Sequence, residues 1–108
     1  YQDPEGRLGP GLGAWVRAVE YATRSNALIM GKPSRCYFET ALHRLGTAPH
    51  ETVMISDDPF NDLPGAKELG IRTLFVTGGK YRHLDSKAIG SLPVPPDFVI
   101  ENITQIPF

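Results

Sequence analysis

Apolar positions along this chain fall into short runs divided by turns, and their spacing shifts from one run to the next. After a Gly/Pro-rich opening, Ala14, Trp15, Ala18, Val19 and Ala22 recur at helical intervals, predicting an amphipathic helix over roughly 11–24. Ala27-Leu28-Ile29-Met30 is continuous and apolar, reads as a buried strand, and is stopped by Gly31-Lys32-Pro33. Ser34 then offers an N-cap for a helix with the stripe Phe38, Ala41, Leu42 and Leu45, ended by Gly46. Val53-Met54-Ile55 predicts the next strand, and a short helix is expected from Asp62, its cap, to Leu69, with Gly70 as terminator. Thr73-Leu74-Phe75-Val76 is strand-like and runs into Gly78-Gly79. A weaker helical segment around Asp85 to Ile89 precedes the link SLPVPP. Phe98-Val99-Ile100 is the last predicted strand, with Asn102 capping a final turn.

Strands and helices thus alternate over short connections, and the strands are apolar on both faces. That is the pattern of an α/β fold, a Rossmann-like parallel sheet flanked by helices. The one candidate boundary lies near Gly31. A length of 108 residues, with 41% hydrophobic and 21% charged, describes an ordinary globular chain of one domain's size. A net charge of −1 with scattered Lys and Arg gives no footprint for nucleic acid. The single cysteine, Cys36, excludes an internal disulfide and reads as a small packing residue. No run nears the roughly 20 apolar residues a membrane-crossing helix needs, and the opening lacks the pattern of a signal peptide. A soluble, cytoplasmic protein is expected. The start at Tyr1, in a turn-rich stretch, reads as a piece of something longer.

Chemistry concentrates where the strands end. In open parallel sheets, ligands bind beyond the carboxyl ends of the strands. Lys32 follows the run 27–30, Asp57 and Asp58 follow 53–56, and Thr77-Gly78-Gly79 follows 73–76. Asp62 opens the helix after the second of these. Hard oxygen ligands on one rim suit Mg²⁺, which takes only one or two protein carboxylates and fills its octahedron with water and phosphate oxygens. A lysine beside them would neutralise a phosphate as a point charge. These are parts of a phosphoryl-transfer site. Each has a plainer reading: Asp62 as a helix cap, Asp58-Pro59 as turn chemistry, Lys32 as a solvated lysine, Gly78-Gly79 as a loop. His43, His50 and His83 lack metal-ligand spacing.

Taken together, the residues point further than any one of them. GKPSRCYFETALHRLG followed by VMISDDPFNDLPGAKELGIRTLFVTGGK resembles the C-terminal half of a haloacid dehalogenase (HAD) superfamily phosphatase, within its NagD-like, p-nitrophenylphosphatase-like subfamily. Asp62 falls five residues after Asp57, as that pattern asks; Gly65-Ala66 and Gly70-Ile71 match it, and the closing PDFVIENITQI is similar to the family's last strand and short helix. The opening GPGLGAWVRAVEYAT is similar to the end of a large cap domain. The resemblance implies a division into the tail of the cap, 1–31, and the C-terminal part of a HAD-like core, 32–108. It implies catalytic roles for Lys32, which would stabilise an aspartyl nucleophile and the transferring phosphoryl group, and for Asp62, which would orient that lysine. Asp57 would be the Mg²⁺ ligand, with Asp58 and Ser56 in supporting positions. The implied reaction is attack by an aspartate on a small phosphomonoester, giving an aspartyl-phosphate that water hydrolyses.

Two departures qualify the match. Ser56 stands where the family has glycine. No D-x-D occurs anywhere in the chain, so the family's nucleophile motif is missing and the 108 residues are expected to be inactive alone. A second reading is a non-catalytic binding or assembly module on the same fold, with room for a homodimer through an open sheet edge. A receiver-type phospho-acceptor is disfavoured because its lysine follows its acids, whereas Lys32 precedes them. The implied partner is a small phosphorylated metabolite, such as a sugar phosphate, nucleoside monophosphate, phosphoglycolate or p-nitrophenyl phosphate, and neither nucleic acid nor membrane.

Overall fold

The computed structural model describes residues 6–106; Tyr1 and the rest of the first five residues lie outside it, as do the last two. Its elements are α1 (Leu12–Thr23), α2 (Arg35–Leu45), β1 (Val53–Ser56), α3 (Leu63–Glu68), β2 (Arg72–Val76), α4 (Ser86–Gly90) and β3 (Phe98–Ile100). Short 3-10 turns at Pro49–Glu51 and Ile103–Gln105 complete it. The three strands form one parallel sheet in the order β1-β2-β3, with Ile55 opposite Leu74 and Phe75 opposite Val99. Each crossover carries one helix, α3 or α4, as parallel connections require.

Why the sheet holds follows from its registers. Met54, Thr73 and Phe75 share the face on which the helices pack. Phe38 and Leu42 of α2 meet Ala66 and Ile71 in one apolar cluster, while Leu63, Phe75 and Ile89 form a second; Met54 packs against both. Phe75 and Thr73 are fully buried. The opposite face carries Val53, Ile55 and Phe98 exposed and Leu74, Val76 and Ile100 half-buried. Strands apolar on both faces are therefore present, but α2, α3 and α4 cover only one of them.

Two expectations need correction. The apolar run 27–30 is not a strand: it is irregular, and Leu28 stays 82% exposed. A strand needs a neighbour to complete its hydrogen bonds, and no strand of the described sheet lies beside it. Cys36 is exposed rather than packed, because it sits on the face of α2 away from Phe38 and Leu42. The helix over 12–23 forms, with Arg24 closing it in a left-handed conformation, but buries none of its residues. Gly46 closes α2 at φ 66, a conformation glycine adopts without cost. Ser34 occupies the N-cap position of α2, yet its hydroxyl makes no capping bond and is buried without a partner among the described residues.

Candidate functional site

The carboxyl ends of β1 and β2 and the start of α2 meet at one rim. β1 ends on Ser56, and the chain turns at once through Asp57-Asp58-Pro59 into α3. Asp58 holds that turn: its Oδ1 accepts the backbone N–H groups of Phe60, at 3.2 Å, and Asn61, at 3.0 Å. This is the local side-chain-to-backbone bonding by which aspartate favours turns. Asp62 occupies the N-cap position of α3 in a helical conformation, but its side chain makes no capping hydrogen bond. The carboxylate turns to the rim instead, with Oδ1 2.8 Å from Lys32 Nζ and Oδ2 accepting from Ser56 Oγ at 2.7 Å. Ser56 Oγ in turn accepts the N–H of Asp58 at 3.0 Å.

Lys32 reaches this group because the turn before α2 lies hard against α3. A Cβ added at Gly65 would collide with the Pro33 carbonyl oxygen and come within 2.8 Å of Phe38. Glycine at this place in α3 is what lets the Lys32–Pro33 segment, joined by a cis peptide bond, approach so closely. The Asp62 carboxylate raises the pKa of the Lys32 ammonium above its ordinary value, against a burial that lowers it.

Asp57 faces another neighbour. Its Oδ2 accepts the backbone N–H of Lys80 at 2.9 Å, and its carboxylate lies where a Cβ on Gly79 would fall. Its Oδ1 has no hydrogen bond among the described residues. The Lys80 ammonium sits 2.8 Å from Asp58 Oδ2. Burial pushes Asp58 upward, but Lys80, the Asn61 side chain and the N–H groups of Asn61 and Phe60 outweigh it and bring its pKa to about 2. The Asp58 ion pair raises the pKa of Lys80.

The structure thus brings Lys32, Ser56, Asp62 and Asp58 into one hydrogen-bonded chain, with Asp57 beside it, tied to the Lys80 loop by the Lys80 N–H. Lys80 was missed in the sequence. It directly follows Gly78-Gly79 at the end of β2, and the rule that places ligands beyond strand ends could have found it. Among the described residues no group of three or more His, Cys, Asp or Glu could enclose a metal ion. One carboxylate with an unengaged oxygen on an open rim does fit magnesium, which keeps most of its waters.

The Hydrolase_like family, described as HAD-hydrolase-like, matches residues 29–106. Haloacid dehalogenase-like hydrolase domain-containing protein 2 of Bos taurus is 45% identical over 86 residues, covering 80% of this chain and 32% of that protein. Phospholysine phosphohistidine inorganic pyrophosphate phosphatase of Xenopus laevis is 42% identical over 87 residues, 81% of this chain and 32% of that protein. Among solved structures, NagD of E. coli K-12 superposes with a TM-score of 0.75 at 24% identity, over 91% of this chain and 38% of NagD, a likeness of fold. A thermostable NPPase from Geobacillus stearothermophilus gives a TM-score of 0.74 at 25% identity, over 99% of this chain and 40% of that one. The chain belongs to the HAD-hydrolase-like family, and its parallel sheet is that family's Rossmann-type fold. It spans about a third of the length of the curated relatives it matches.

Proposed function

We propose that this chain carries the magnesium-and-lysine half of a HAD phosphatase site acting on small phosphomonoesters. The observation that carries the reading is the rim itself: Lys32 paired with Asp62 at 2.8 Å, beside an Asp57 carboxylate with one oxygen unengaged. Asp57 would hold the ion, which when bound would neutralise phosphate oxygens and lower the charge that must build up in phosphoryl transfer. Lys32, kept protonated by Asp62, would place a second positive charge on the transferring group. Asp62 fixes that ammonium, and Ser56 fixes Asp62. The nucleophile that would form an aspartyl-phosphate is an aspartate in a D-x-D motif, and these 108 residues contain none. It would come from the part of such proteins that this chain does not span. A small phosphorylated metabolite as substrate and a cytoplasmic location belong to the same proposal, as does the division into a cap tail, 1–31, and a core part, 32–108. The relatives supporting it include one named as an inorganic pyrophosphate phosphatase.

The test replaces the matching third of the haloacid dehalogenase-like relative with this chain. The chimera is expected to hydrolyse p-nitrophenyl phosphate with Mg²⁺ and to lose the activity in Lys32→Met and Asp57→Asn. The 108-residue chain alone is expected to show no turnover. Turnover by the chain alone that Asp57→Asn abolishes would overturn the claim that the nucleophile lies elsewhere.

A second reading, an assembly module that includes a homodimer, is favoured by β1 being the edge of the described sheet and by the exposed Val53, Ile55 and Phe98. Light scattering separates the two readings, since a monodisperse monomer at high concentration contradicts association through that edge.

A further inference from the structure

Lys80 matches none of the positions carried over from the family, yet it has two separate ties to the acidic rim. Its backbone N–H donates to Asp57 Oδ2 at 2.9 Å, and its ammonium to Asp58 Oδ2 at 2.8 Å. The ammonium also lies 4.9 Å from the centroid of the Tyr81 ring, in cation–π range, and Tyr81 packs edge-on against Phe60 of the β1–α3 turn, 5.0 Å away. The loop that carries Lys80 is fixed from the other side as well. Thr77 and Gly78 donate their N–H groups to the carbonyls of Ile100 and Glu101 at 2.9 and 3.0 Å. Neither glycine has room for a side chain: Gly79 abuts the Asp57 carboxylate, and a Cβ on Gly78 would come within 2.6 Å of the Glu101 carbonyl oxygen. The loop is therefore wedged between the end of β3 and the carboxylates that follow β1.

Charge decides what this arrangement does. The rim holds three carboxylates, Asp57, Asp58 and Asp62, and two ammonium groups. Lys32 takes Asp62 and Lys80 takes Asp58. Asp57 is left with a neutral N–H donor on one oxygen and no hydrogen bond on the other among the described residues. Without Lys80, Asp58 Oδ2 would keep only the neutral Asn61 amide at 3.0 Å, and the uncompensated Asp58 charge would compete with Asp57 for a cation.

We propose that Lys80 is a positioning residue that selects Asp57 as the cation-binding carboxylate, engaging Asp58 through its ammonium and orienting Asp57 through its backbone N–H. The proposal rests on the reading of the rim as a divalent-cation site. It extends that reading by making the loop after β2, and not only the turn after β1, a determinant of the site.

Two measurements on the 108-residue chain test it. The first needs no metal: amide hydrogen exchange at position 80 in wild type, Lys80→Met and Lys80→Arg. Exchange should speed up at least about fivefold in Lys80→Met and stay near wild type in Lys80→Arg, because the ammonium holds the loop that presents the amide to Asp57. The second is a double-mutant cycle read by calorimetric Mg²⁺ and Mn²⁺ titration. Asp58→Asn should change affinity less than about twofold in the wild-type background and weaken it at least about fivefold in the Lys80→Met background, where Asp58 is released to share the ion. Unchanged exchange at position 80 in Lys80→Met overturns the latch. An Asp58→Asn effect equal in both backgrounds overturns the selection of Asp57. Cation binding indifferent to Asp57→Asn overturns the reading of the rim and the selection with it, while exchange reports on the latch separately.

Discussion

The two ends of the sheet carry the same chemical parts and use them differently. At the amino end, Asp97 just before β3 is engaged on both oxygens: Oδ1 is 2.8 Å from Lys67 Nζ, and Oδ2 accepts both the N–H and the hydroxyl of Thr73 at 2.9 Å. Lys67 also donates to the Pro95 carbonyl at 2.7 Å. The arrangement closes on itself, tying α3, β2 and the proline-rich link together. At the carboxyl end, Asp57 has an aspartate neighbour, a lysine in the next loop and a backbone N–H on one oxygen, yet its other oxygen is left over. A carboxylate with both oxygens engaged serves the fold. One held in place with capacity remaining is the kind that serves a ligand.

The sharpest way to break this comparison is to remove each carboxylate in turn. In the chimera with the haloacid dehalogenase-like relative, Asp57→Asn is expected to lower p-nitrophenyl phosphate turnover at least about 100-fold, whereas Asp97→Asn leaves turnover per folded molecule within about twofold. Equal losses would erase the distinction between the two ends. Stability should show the opposite order. Urea denaturation at pH 7 is expected to find Asp97→Asn destabilised by about 1 kcal/mol, after allowing for the screening of a partly exposed pair. Asp57→Asn should stay within about 0.5 kcal/mol of wild type, since it breaks no ion pair.

Acid sharpens the same contrast. The Lys67 ammonium, then the Thr73 N–H and hydroxyl, hold the Asp97 pKa at about 2, against an ordinary 3.8. A depressed carboxylate contributes stability that is full above its unfolded pKa and disappears as pH falls through the folded one. The gap in melting temperature between wild type and Asp97→Asn should therefore be constant from pH 7 to about 5 and close as the pH approaches 2. A gap that persists at pH 2 would remove Asp97's charge from the explanation.

A smaller effect is expected at Ser56. Ser56→Gly removes the hydroxyl that donates to Asp62 and accepts the Asp58 N–H. A loss of about 1 kcal/mol is expected in the same denaturation assay, as for ordinary hydrogen bonds among partly buried groups. No change would mean that the hydroxyl is incidental.

Much of this was legible in the sequence because it rests on local rules. The strands 53–56, 72–76 and 98–100 announced themselves as short apolar runs, and the helices were bounded by Gly46, Gly70 and Asp85. Asp85 does cap α4, accepting the Ala88 N–H at 2.7 Å. What misled was Ala27-Leu28-Ile29-Met30, whose composition suits a strand but whose partner lies in no described strand. Apolar content predicts burial only where something is present to cover it, and the same holds for the uncovered face bearing Ile55 and Phe98. At the site, placement at strand ends named Lys32, Asp57, Asp58 and Asp62, and the family resemblance added Ser56. The resemblance also implied separate roles for the aspartates, but the ion pair of Asp58 with Lys80 was not readable, because Lys80 lies more than twenty residues away in sequence and is adjacent only through the pairing of β1 with β2.

The most direct test of the central claim uses Mn²⁺ as a paramagnetic stand-in for magnesium, read by the loss of amide NMR signals in the wild-type chain and in Asp57→Asn. Signals of residues 57–62 and of Gly79 and Lys80 should broaden at substoichiometric Mn²⁺, those around Asp97 should not, and Asp57→Asn should abolish the broadening. Broadening centred on Asp97, or a pattern at the rim that survives Asp57→Asn, would contradict the account.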